Sequence, residues 1–176
     1  MEIIELNESY NSTRLHFEYQ TSGHFQATVS ETDETMTLHF EYVAFEQVKT
    51  MAFDDTLVSD YMENYKSYGA KVDGQIVGYL VITFDDWNKR VRINQLLIEP
   101  EFRNRGIGTS LMNHAEEVAK HMGARAMILE TQSCNLPAIT FYRRCGYQIV
   151  GCDVMCYSNE DIEKAEVRLE MGKKLG

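Results

Sequence analysis

Leu15, Phe17 and Tyr19 alternate with polar neighbours, and Leu38, Phe40 and Tyr42 do the same. A period of two sends successive side chains to opposite faces of an extended chain, so both stretches predict half-buried strands, with the polar run 30–35 as the turn between them. Residues 45–68 hold Phe45, Val48, Met51, Phe53, Leu57, Val58, Tyr61 and Tyr65 at mixed spacings of three and four. That pattern predicts an amphipathic helix with a break at Asp54-Asp55.

The pattern sharpens from residue 70. Segments 70–72 and 75–84 flank Asp73-Gly74, a pair that supplies the positive backbone angles of a tight hairpin turn. A further strand over 91–98 ends before Pro100, which cannot continue a ladder. Leu111, Met112, Ala115, Val118 and Ala119 line one face of a helix predicted over 108–122 and stopped by Gly123. A short apolar run at 126–129 predicts a buried strand, and 137–145 a second helix closed by Gly146. Segments 147–150 and 154–157 predict the closing strands, with 168–171 as a further one. Antiparallel strands followed by strand, helix, strand, helix, strand predict an α/β architecture with a mixed sheet. No internal repeat or low-complexity linker interrupts it.

A chain of 176 residues is long enough to bury a core as one domain. No stretch reaches the roughly 20 apolar residues that span a bilayer, and the first residues lack the basic start and apolar core of a signal peptide. The expected location is cytoplasmic. Cys134, Cys145, Cys152 and Cys156 form no Cys-x-x-Cys pair and no histidine follows Cys134, so reduced thiols are expected, with no metal site and no disulfide framework. Cys134 as a nucleophile lacks a downstream base. The net charge of −10 is concentrated in residues 1–75, which carry 14 acids and 4 bases, against 13 of each in the remainder. Such a field repels nucleic acid and anionic membranes and attracts cations, although solubility alone is the blander reading.

The stretch Ile98-Glu99-Pro100-Glu101-Phe102-Arg103-Asn104-Arg105-Gly106-Ile107-Gly108-Thr109 lies between a predicted strand and a predicted helix. Glycines at 106 and 108 let backbone approach a bulky anion, the helix start offers unpaired N–H groups and a positive dipole end, and Arg103 and Arg105 add charge. A diphosphate seat is the reading; the alternative is an ordinary glycine-containing helix start. The lysine of a Walker loop and the third glycine of the dinucleotide fingerprint are both missing.

Arg103-x-x-Gly106-x-Gly108 after Leu96-Leu97-Ile98-x-Pro100 resembles the coenzyme A signature of the GNAT acetyltransferases. The resemblance continues through Leu129-Glu130, Asn135, Ala138, Phe141-Tyr142 and Cys145-Gly146-Tyr147, and covers about residues 70–158. Within that superfamily the chain resembles streptothricin acetyltransferases, through Trp87-Asn88, the phase of 93–108, Leu129-Glu130-Thr131-Gln132, Asn135, Phe141-Tyr142 and Cys145-Gly146. It departs from them at Asn94-Gln95, where they carry acidic residues.

The resemblance implies a mixed, mostly antiparallel central sheet flanked by helices, with a splayed strand pair that binds coenzyme A. It implies one domain over 1–176, with 1–68 as the variable acceptor side and 70–158 as the coenzyme A-binding core. It implies acetyl-CoA as co-substrate, held by Leu96, Leu97, Ile98, Arg103, Asn104, Arg105, Gly106, Ile107, Gly108, Thr109, Asn135 and Tyr142, with backbone N–H groups of Leu97 and Ile98 toward the thioester and pantetheine. Tyr142 matches the position whose phenol protonates the thiolate, a packed tyrosine being the alternative. Asn135 binds the pantetheine arm or holds the loop.

A lysine-like amine costs about 4–5 kcal/mol to deprotonate at pH 7, so a base or a desolvating pocket must assist. Glu130 matches a base position of some members, the alternative being a solvated strand-end acid; Glu99, or a water relayed from Asn94 or Gln95, are substitutes. The partner expected is a small-molecule amine, and the apolar aromatic content of the first two strands permits a homodimer. For a polycationic acceptor, Asp54, Asp55, Asp60 and Glu63, or Glu41 and Glu46, are candidates to pair ammonium groups, beside Asn94 and Gln95. Two other classes stay open: a protein N-terminal or lysine acetyltransferase, and a non-catalytic acyl-coenzyme A sensor, for which the neutral Asn94-Gln95 pair argues.

Overall fold

The computed structural model describes residues 1–176. In chain order the elements are β1 (Glu2–Glu5), β2 (Arg14–Glu31), β3 (Met36–Thr56), β4 (Tyr65–Val72), β5 (Gln75–Asp85), β6 (Arg90–Ile98), α1 (Ile107–His121), β7 (Ala126–Gln132), α2 (Leu136–Arg144), β8 (Gln148–Asp153) and β9 (Arg168–Lys174). Short 3-10 turns occupy Glu8–Tyr10 and Pro100–Phe102. Seven strands form one sheet in the order β1-β4-β5-β6-β7-β9-β8, and β2 and β3 form a separate two-stranded ribbon. The run β1-β4-β5-β6 is antiparallel and β6 pairs with β7 in parallel across the α1 crossover. This is the mixed, mostly antiparallel sheet with two helices that the sequence predicts. No helix is long and apolar enough to cross a membrane, and the four cysteines are free.

By Cα packing the chain divides into two compact units. The first holds residues 1–17, 53–129 and 172–176. Its core joins Leu6, Leu15, Leu57, Met62, Val81 and Leu97, with Ile4, Tyr10, Phe17 and Tyr65 against them. Helix α1 buries Ile107, Leu111, Met112, Ala115 and Ala119. Any side chain at Gly78 would meet Ile98 and Leu111, so glycine there lets α1 approach the sheet closely. The β4–β5 turn has φ of 50° at Asp73 and 87° at Gly74, the paired left-handed angles that Asp-Gly predicts. The second unit holds residues 18–52 and 130–171, around Ala27, Ile139, Val167 and Leu169.

Two predicted elements are corrected. Residues 45–68 form no helix: up to Thr56 they continue β3, and from there they run as irregular chain to β4. Tyr42, Val43, Phe45, Val48, Thr50 and Phe53 favour a pleated strand, and pairing with an 18-residue β2 outweighs the three-and-four spacing. Leu57 and Val58 then bond back to the carbonyls of Thr13 and Asn11. Segment 154–157 is not a strand. There Asp153 accepts the N–H of Met155 and Asp161 accepts the N–H of Tyr157 and the hydroxyl of Ser158, so side chains take backbone donors that a ladder would need. The unpredicted β1 is only four residues long, and Ile3-Ile4 carries no alternation that would reveal it.

Candidate active site

In the first unit, β6 is where the sheet opens. Its parallel ladder to β7 covers Arg90↔Ala126 through Ile93↔Leu129, whereas its antiparallel ladder to β5 continues to Gly78↔Ile98. Between Gln95↔Val81 and Ile93↔Ile82 the register shifts, leaving Asn94 as the extra residue of a β-bulge. Beyond the bulge the β6 edge away from β5 is unladdered. The Glu99 N–H donates to the Val77 carbonyl, and strand alternation then turns the peptide groups of Leu97 toward β5 and those of Leu96 and Ile98 toward the open edge. The Ile98 carbonyl accepts from Arg103 Nε at 3.0 Å, in keeping with that direction.

The chain then passes through Pro100–Phe102 into the loop before α1. Asn104 has φ of 61° and Gly106 of 80°, with Arg103 and Arg105 outside the left-handed region. Left-handed residues at 104 and 106 bend the backbone sharply on its way into the helix. Gly106 is the N-cap of α1 and offers no side chain to its first N–H groups; the first helical bond is Ser110 N–H to the Gly106 carbonyl. A Cβ at Gly106 would meet nothing within 4 Å, so no protein atom crowds that side of the N-cap. Arg105 lies 5.1 Å from the Phe102 ring, which steadies its guanidinium on the exposed loop. Bare amides, a helix N-terminus, two arginines and open space fit a diphosphate.

The acceptor-side candidates in this unit differ in their partners. Gln95 is 5% exposed, and its Nε2 donates to Asp55 Oδ2 at 2.7 Å and to the Thr56 carbonyl at 3.3 Å. Asn94 donates to the Thr83 hydroxyl at 3.0 Å. Asp54 lies 2.7 Å from His16 Nδ1. The structure thus joins Gln95 to Asp55 and sends Asn94 and Asp54 elsewhere.

In the second unit, Glu130 stands on β7 with an oxygen 2.6 Å from Arg168 Nη2, and Arg168 also reaches Glu170 at 3.2 Å. Asn135 caps α2, its side chain accepting the Ala138 N–H at 3.1 Å. Tyr142 lies on α2 with ring centroids of Phe141 and Tyr147 at 5.4 and 6.2 Å. Burial, with Cys145 beside it, pushes the Tyr142 phenol up to about 12, so it is a proton donor throughout the neutral range. Sequence reasoning missed Arg168 and His16. Each reaches its partner across at least 38 positions of chain, and no local spacing signals it.

The streptothricin acetyltransferase of Streptomyces lavendulae is 38% identical over 85 residues, covering 48% of this chain and 45% of that protein. The streptothricin acetyltransferase of Escherichia coli is 31% identical over 98 residues, covering 56% of each. The chain therefore spans about half the length of these curated relatives. Over 99% of this chain and 98% of the other, the crystal structure of nourseothricin acetyltransferase superposes with a TM-score of 0.78 at 25% identity. The profile of the acetyltransferase (GNAT) family matches residues 26–147, well over half of the sequence, and includes the β6 edge, the loop to α1 and both helices. The chain belongs to the acetyltransferase (GNAT) family.

Proposed function

We propose that the chain is an N-acetyltransferase that moves acetyl from acetyl-CoA to a primary amine of a cationic small molecule, of the streptothricin type that its named relatives suggest. The observation that carries this reading is the loop Arg103–Gly108, with alternating backbone angles and a helix N-cap without a side-chain hydrogen bond, following an unladdered strand edge. Acetyl-CoA, when bound, supplies an activated thioester. Arg103 and Arg105 and the amides of Asn104, Gly106, Ile107, Gly108 and Thr109 hold the diphosphate. The edge Leu96–Ile98 aligns the pantetheine arm, and its outward N–H groups stabilise charge developing on the acetyl oxygen. By alternation these are the groups of Leu96 and Ile98, with Leu97 packing into the core.

Tyr142 supplies the proton that the leaving thiolate requires. The acceptor amine loses one proton before attack and one afterwards. Asn135 holds the start of α2 and the loop before it. Glu130 remains the first candidate for relaying the amine proton to solvent, with Arg168 fixing its orientation. Residues 1–176 act as one catalytic domain, with the acceptor recognised by the acidic first part through Asp54 and Asp55, beside Asn94 and Gln95 of β6. An acceptor panel of streptothricin, aminoglycosides, polyamines and peptides, read by free-thiol release and by a mass shift of 42 Da, roughly the mass of an added acetyl group, tests the proposal. Turnover on cationic small molecules is the expected result. Turnover only on peptides would make it a protein acetyltransferase, and none at all would leave a sensor.

A further inference from the structure

The six carboxylates that the sequence offers to a cationic acceptor are not equivalent in the fold. Asp54, Asp60, Glu63, Glu41 and Glu46 are exposed, and Asp55 alone is half-buried. Asp55 Oδ1 accepts the N–H of Thr56 at 2.7 Å and Oδ2 accepts Gln95 Nε2 at 2.7 Å. No lysine, arginine or histidine pairs with it, whereas Asp54 faces His16 and Glu130 faces Arg168. A carboxylate partly withdrawn from water, oriented by neutral donors and facing no protein cation is placed to attract a cationic group.

The same contact accounts for the amide at position 95. A second carboxylate there would lie within hydrogen-bond distance of Asp55, and two such charges cannot both stay ionised. A glutamine instead donates, and being buried it has little freedom to release its partner. The negative charge beside Gln95 on β6 comes from Asp55 at the end of β3. One residue further along β6 is Leu96, whose N–H faces the open edge.

We infer that Asp55, held by Gln95, binds an ammonium or guanidinium group of the acceptor and sets the preference for acceptors with more than one positive charge. The inference rests on the acetyl transfer proposed above. The group that Asp55 holds is not the amine being acetylated, because a carboxylate beside an ammonium favours the charged form and opposes attack. Gln95 is a positioning residue.

Steady-state kinetics at saturating acetyl-CoA, with streptothricin and spermidine as polycations and phenethylamine as a monoamine, separates the outcomes. Asp55→Asn is expected to raise KM for the polycations at least tenfold, with kcat within about threefold and KM for acetyl-CoA and for phenethylamine unchanged. Gln95→Leu should move KM the same way by about threefold to tenfold, and Asp86→Asn, which removes a remote surface charge, by less than twofold. An unchanged KM in both Asp55→Asn and Gln95→Leu, or an equal rise for mono- and polycations, overturns the inference. Calorimetry of streptothricin with the coenzyme A-loaded protein reads the same contact without turnover. If the parent protein acetylates nothing, the catalytic proposal fails; weaker heat in Asp55→Asn would then still support the cation site, and equal heat would refute it.

Discussion

At the scale of single residues, the proposed transfer depends on a phenol and a turn. Burial pushes the Tyr142 phenol up to about 12, so its proton is present through the neutral and mildly alkaline range and is lost only as pH rises past that value. Tyr142→Phe should therefore lower kcat by about 10²-fold or more with KM for acetyl-CoA unchanged, and the wild-type kcat profile should show no loss attributable to this group below about pH 11. A pH series on both proteins checks it; an equal kcat in the variant would remove the assignment. Gly106 sits at φ of 80°, where a side chain costs roughly 1–2 kcal/mol whatever the space around it. Gly106→Ala should lower Tm by a few degrees and weaken coenzyme A binding, with the binding loss exceeding what the stability change explains. Arg168 and His16 were invisible to sequence reasoning because a side-chain contact across the fold leaves no periodic trace.

At the scale of elements, α1 is held to the last strand by side chains as well as by its apolar face. Glu116 is hydrogen-bonded to Lys173 and to Lys120, and these contacts hold its carboxyl below the ordinary value against the opposing effect of burial. A depressed folded pKa contributes stability above the unfolded value and loses it as pH falls through the folded one. Glu116→Gln should thus be less stable than wild type at neutral pH, and the two melting curves should converge below about pH 4; a constant gap down to pH 3 would contradict this. The buried Leu57, fully enclosed in the core of the first unit, should cost about 2–5 kcal/mol as alanine in a denaturant titration.

Leu57 also marks the limit of what was legible. The elements after residue 70 could be read because each has its own punctuation: Asp73-Gly74, Pro100, Gly123 and Gly146. The 45–68 stretch could not, because its apolar residues serve two masters, a ribbon up to Thr56 and a separate core from Leu57, and their combined spacing imitates a helix. The loop before α1 was readable from its glycines and arginines, whereas the Gln95–Asp55 contact joins strands 40 positions apart and emerges only from the fold.

For the molecule as a whole, the net charge of −10 is concentrated in the first 75 residues. If that field serves acceptor capture, KM for a polycation should rise steeply with salt while kcat holds, and a neutral or monocationic amine should show a much weaker dependence. The proposed transfer depends on one physical event, the seating of a diphosphate at the loop Arg103–Gly108 before α1. Calorimetric titration of the protein with coenzyme A and, separately, with pantetheine tests it most directly. One site for coenzyme A is expected, with an affinity for pantetheine at least about a hundredfold weaker and loss of that difference in Arg103→Ala/Arg105→Ala. Equal affinities for the two ligands, or no heat with coenzyme A, would contradict it.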